Sequence, residues 1–126
     1  LDRARADASA TPVSCASEVA KKMGASDEEM VMVAGFAGGI GLSGHGCGAL
    51  GAAVWMTVLE LVRKSDWKYS LSDPVAGGII RKFRAATGGA MECHAITGKR
   101  FQTAAEHAAF IRGGGCAGLI EMLARP

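Results

Sequence analysis

The chain has 126 residues, enough for one domain with one core. It is 49% hydrophobic but only 6% aromatic, so aliphatic side chains and alanine fill the interior, a composition that suits close packing of helices. A formal net charge of +2, with the basic residues scattered rather than striped, excludes a nucleic-acid footprint. In chain order, residues 1–10 are polar and alanine-rich without apolar periodicity and read as a flexible N-terminal arm, leaving 11–126 as one helical domain. Thr11-Pro12 predicts a helix start, with threonine as cap and proline in the first turn; Cys15, Val19 and Met23 follow and Gly24 stops it. Ser26-Asp27-Glu28-Glu29 is a capping box opening a second helix through Met30, Val33 and Phe36 to Gly38-Gly39. A third helix starts near Gly46 or Cys47 and runs to about Lys64, with Leu50, Val54, Val58, Leu61 and Val62 at helical spacing. Ser65 to Ser72 is a connection. Asp73-Pro74 starts a fourth helix that Gly88-Gly89 closes; the basic run Arg81-Lys82-Phe83-Arg84 complements its C-terminal dipole. A single turn is expected around Cys93, Thr103-Ala104-Ala105-Glu106 is another capping box leading a helix to Arg112, and a last helix carries Cys116, Leu119, Ile120 and Leu123. Nothing alternates with period two. The expected fold is all-α, a single-domain bundle of about five or six helices with glycine-rich loops.

No acidic, lysine or arginine side chain occurs between Glu29 and Glu60. A membrane span needs about 20 continuous apolar residues, and the glycine-rich run from Gly38 to Gly46 interrupts this stretch. It reads as two buried helices joined by a loop, with no membrane span. No signal peptide is read at the N-terminal end either.

The four cysteines are Cys15, Cys47, Cys93 and Cys116, separated by 32, 46 and 23 positions. Zinc ribbons, zinc fingers and thioredoxin-like pairs draw on closely spaced cysteines, so this spacing disfavours all three. Isolated cysteines often serve as small buried hydrophobes. Placement points further: Cys15, Cys47 and Cys116 fall at helix N-termini, where unpaired amides and the dipole favour thiolate. Glycines flank most of the sites, among them Gly46 and Gly48 beside Cys47 and Gly115 beside Cys116. They allow backbone N–H groups to approach a sulfur closely, and such hydrogen bonds tune iron–sulfur clusters.

Gly46-Cys47-Gly48-Ala49-Leu50-Gly51, with one cysteine before it and two after, resembles the prokaryotic C_GCAxxG_C_C family. The resemblance spans about residues 12–124 and includes the glycine-rich approach from Ala34 to Gly41. All four family cysteines have counterparts; Gly48 departs from the alanine of the family name, a small swap expected to affect packing rather than chemistry. The resemblance implies a helical protein with redox-active cysteines, and, by a related domain found beside haem in multi-domain cytochromes, cysteine ligation of an iron–sulfur centre. It leaves the compartment open between prokaryotic cytoplasm and periplasm, and the redox partner unidentified.

Other motifs carry less. Gly39-Ile40-Gly41-Leu42-Ser43-Gly44 fits G-x-G-x-x-G, with Met30 to Phe36 as a conceivable strand, yet no helix start or second strand follows. Gly98-Lys99-Arg100 lacks the remaining P-loop residues. Ala90-Met91-Glu92-Cys93-His94 is one cysteine short of a haem attachment site. His45 and His94, near cysteines, are candidate alternative ligands or bases; His107 is expected to be solvated or at a cap. Four thiolates match the ligand demand of a [2Fe-2S] cluster, and unbound they repel one another. The preferred expectation is therefore a redox or electron-transfer protein with Cys15, Cys47, Cys93 and Cys116 as cluster ligands. One alternative is metal-free thiol–disulfide chemistry at the same four residues. Another is a structural or oligomerising domain, a homodimer through the apolar second and third helices, with zinc-bound or inert cysteines.

Overall fold

In the computed structural model, residues 13–64 and 74–125 are described. They form seven helices: α1 (Cys15–Lys22), α2 (Asp27–Ala34), α3 (Gly48–Lys64), α4 (Pro74–Thr87), α5 (Cys93–Thr97), α6 (Ala104–Arg112) and α7 (Ala117–Ala124). The expected all-α bundle forms, and the short turn at Cys93 supplies α5. Among the described residues no strand occurs; segments 44–47 and 91–94 meet only in an isolated antiparallel bridge, Gly46 with Glu92. The arm at 1–10, the Thr11-Pro12 start, the 65–72 connection and the Asp73 cap lie outside the described residues.

Local chemistry explains most boundaries. Ser26 and Glu29 form the expected reciprocal capping box at α2. At α6 the Thr103 hydroxyl accepts from the Glu106 N–H, while Glu106 accepts from the Gln102 N–H instead of closing the box. Gly88 and Gly89, at φ 68° and 96°, end α4. Two boundaries differ from expectation. Helix α1 begins at Cys15, capped by an extended, buried Ser14 that exchanges hydrogen bonds with Ser17. Helix α2 stops at Ala34, so Phe36 lies in the following turn.

Helix α1 is the hub, packing on α2, α3 and α7, while α4 packs on α3 and α7. Ala16, Val19 and Ala20 of α1 and Ala52 and Ala53 of α3 are fully buried. Small side chains let helix axes approach closely, and alanine loses no rotamer freedom on burial. Phe83 of α4 is the largest fully enclosed side chain. Helix α2 buries a single stripe, Met30 and Val33, and leaves Val31 and Met32 exposed, so it is not the wholly buried helix expected. Lys22–Glu121 and Arg63–Glu29 tie α1 to α7 and α3 to α2 at the surface, where ion pairs contribute little. Among the described residues, no helix is long and apolar enough to cross a membrane.

Candidate functional site

The packing brings every cysteine to a helix N-terminus. Cys15 and Cys93 are the first residues of α1 and α5, and Cys116 caps α7. Cys47 precedes α3 and its carbonyl accepts the N–H of Gly51, the first helical hydrogen bond. Sequence reasoning placed three of the four in this way; Cys93 is the addition. None is in a disulfide.

The loop between α2 and α3 shapes the site. Five consecutive residues, Gly38 to Leu42, lie in the left-handed region, including the non-glycines Ile40 and Leu42 at φ 62° each. Left-handed geometry costs roughly 1–2 kcal/mol for each residue with a Cβ. The loop is held by its own backbone: the N–H groups of Gly41, Gly44 and His45 donate six residues back, to Gly35, Gly38 and Gly39. The G-x-G-x-x-G glycines thus build a left-handed turn after a helix, outside any βαβ unit. Cys116 shares the conformation, with φ 62°. Such strain concentrates where surrounding structure enforces it, commonly at functional sites.

All six pairs of cysteines lie close enough for one thiolate to raise the other's pKa. Burial is the larger influence. It pushes Cys15 up to about 12 from an ordinary 9.0, opposed by the Gly38 N–H aimed at its sulfur, with further increases from the other three cysteines. Burial pushes Cys116 up to about 11, aided by Cys47 and Cys93. Cys47 is raised by burial against hydrogen bonds from the Leu50 and Ala49 amides at the start of α3. Cys93 is raised by burial and by Cys47, with the Thr97 hydroxyl acting the other way. Helix N-termini were expected to favour thiolate. They do pull in that direction at Cys47, but desolvation outweighs them and the resting thiols are neutral.

The bridge between segments 44–47 and 91–94 joins two cysteine-bearing loops. The Cys47 N–H donates to the Met91 carbonyl (3.0 Å) and the Cys93 N–H to the His45 carbonyl (2.6 Å). On its outer side His94 Nε2 donates to Glu92 Oε2 at 2.5 Å, and His45 Nδ1 stands 3.7 Å from the same oxygen. Glu92 escaped the sequence reading because one of its two partners, His45, comes from another loop. Cys47 also lines an apolar recess of about 370 Å³ with Ile40, Leu50, Trp55, Ile80 and Met91.

His107 overturns its expectation. It is buried, with 2% exposure, and its Nε2 accepts the Cys15 N–H at 3.2 Å. Its ring meets Phe101 edge-on at 4.7 Å. Burial lowers its pKa, so the neutral imidazole serves as acceptor and the proton sits on Nδ1. The missed signal is the α6 period: His107 and Ile111 share its inward face. As for the flanking glycines, a Cβ at Gly48 would collide with the Phe36 carbonyl and the Ala37 amide, and one at Gly115 with the Phe110 ring. Gly46 meets only ordinary contact with Ile40.

A family model described as "Putative redox-active protein (C_GCAxxG_C_C)" matches residues 13–125, which contain all four cysteines. Comparison with curated proteins and with solved structures gave no match. The chain belongs to the C_GCAxxG_C_C family, whose name rests on the cysteine pattern that this fold gathers.

Proposed function

We propose that the protein is a redox or electron-transfer module in which Cys15, Cys47, Cys93 and Cys116 ligate an iron–sulfur cluster of the two-iron type. The observation that carries this reading is the mutual electrostatic range of four sulfurs drawn from four helix N-termini. When bound, such a cluster accepts and releases single electrons at a potential set by hydrogen bonds to sulfur and by burial. The chain supplies both: the Gly38 amide at Cys15, the Leu50 and Ala49 amides at Cys47, and a buried setting for Cys15 and Cys93. Gly46, Gly48 and Gly115 serve by keeping the backbone beside Cys47 and Cys116 free of side chains.

Spacing favours a cluster over a single ion. Four thiolates around one zinc ion stand about 3.8 Å apart, given bonds of about 2.3 Å. Among the described residues, the trio whose ligand atoms all lie within 4.8 Å contains no cysteine. A two-iron centre divides its thiolates between two metals and tolerates the wider set.

A thiol–disulfide reading draws support from the bridge whose two segments carry Cys47 and Cys93, and from the influence of Cys47 on the Cys93 thiol. There two thiols surrender two electrons and two protons to a redox partner as the S–S bond forms. The raised pKa values weigh against it, since a thiol near 11, such as Cys116, is about one part in a thousand thiolate at pH 8. Anaerobic purification decides. Brown protein with stoichiometric iron and sulfide, both lost in Cys47→Ser, is the expected result. Colourless protein whose free thiols rise by four on reduction supports disulfides, and four unreactive thiols in metal-free folded protein overturn both readings.

A further inference from the structure

We propose that His45, Glu92 and His94 form a second metal site, for a divalent ion of the zinc type, separate from the cysteines. The ligand atoms of these three residues lie within 4.8 Å of one another. Glu92 Oε2 is already shared, 2.5 Å from His94 Nε2 and 3.7 Å from His45 Nδ1. Bonds of about 2.0–2.2 Å to zinc in tetrahedral geometry set neighbouring ligand atoms about 3.3–3.6 Å apart. Side-chain rotation reaches that spacing: the Glu92–His94 contact opens, the Glu92–His45 contact closes slightly, and the two imidazoles adjust from a separation of no more than 4.8 Å.

Backbone holds the trio ready. His45 and Glu92 come from two loops fixed by the Gly46–Glu92 bridge, by the Cys93 N–H donating to the His45 carbonyl, and by the His94 N–H donating to the Gly44 carbonyl at 2.9 Å. Glu92 occupies the cap position of α5, yet its carboxylate makes no cap hydrogen bond and turns to the two imidazoles instead. The side chains of His45, Glu92 and His94 are 63%, 49% and 35% exposed, so an ion enters from solvent and water completes its shell. Two imidazoles and one carboxylate match borderline cations such as zinc, while calcium and magnesium demand more oxygen. The bound ion cross-links the loops that carry Cys47 and Cys93, bracing the thiols without taking any sulfur as a ligand.

The test is calorimetric titration of the purified full chain with Zn²⁺, paired with zinc-edge X-ray absorption of the loaded protein. One equivalent is expected, with a nitrogen and oxygen shell at about 2.0 Å and no sulfur shell at about 2.3 Å. His94→Ala and Glu92→Gln, both surface changes, are each expected to weaken zinc binding at least ~10-fold while helical circular dichroism stays unchanged. A sulfur shell, absence of zinc binding, or binding indifferent to both substitutions overturns the site. Iron and sulfide content is read separately on the same samples, so failure here is distinguishable from failure of the cysteine reading.

Discussion

The α1–α3 contact and the cysteine-bearing end of the molecule follow opposite designs. The first is built from Ala16, Val19, Ala20, Ala52 and Ala53, fully buried in regular helix. The second is built from a five-residue left-handed turn and four thiols whose charged form burial disfavours. One region accumulates stability and the other consumes it. Strain at the cysteine end persists because the helical framework fixes both ends of each loop.

Substitutions in the wider helical framework, to which α4 belongs, and at the cysteine end sharpen this contrast. The largest effect is expected from Phe83→Ala, which empties the most enclosed side-chain site and should cost about 3–5 kcal/mol in denaturant unfolding. Where the variant stays folded, iron and sulfide per chain should match the parent; a proportional loss would mean the two regions are not separable. A second effect, smaller at any one step of pH, comes from titration. In metal-free protein, folded Cys15 holds its proton to about 12, whereas the unfolded thiol loses it near the ordinary 9.0. The folded state therefore binds more protons across that window, and its stability falls as pH rises from 9.0 to about 12. Cys15→Ala should flatten the slope by up to about 1.4 kcal/mol per pH unit, measured as unfolding midpoints through the window. The smallest is Ile40→Gly, which relieves a β-branched residue at φ 62° on a 57% exposed side chain. It should raise stability by about 1 kcal/mol; a loss would place Ile40 among the contacts that hold the turn.

What local chemistry controls was legible in the sequence. The Ser26 capping box, the Thr103 cap and the Gly88-Gly89 stop each depend on residues within one turn, and each boundary formed where expected. At α1 the sequence offered Thr11 as cap, whereas Ser14 with Ser17 begins the helix; both serines are enclosed by the fold, a fact of tertiary packing. The left-handed turn was not legible: glycines permit it, but nothing local predicts isoleucine and leucine at positive φ. His107 was misread for a related reason, since its partner, the Cys15 amide, lies 92 positions away. At the thiols, placement was readable but charge state was not. Helix-end polarity is a local property, whereas desolvation depends on everything packed around the sulfur.

Gly48 has a consequence for how this architecture varies. The Phe36–Ala37 peptide rests where a methyl group at position 48 would stand, so the second loop and third helix share one steric slot. A homologue bearing the alanine of the family signature must hold that crossing wider, which moves the Gly38 amide relative to the first sulfur. Exchange at this one position is thereby coupled to the placement of the loop that carries the Gly38 amide.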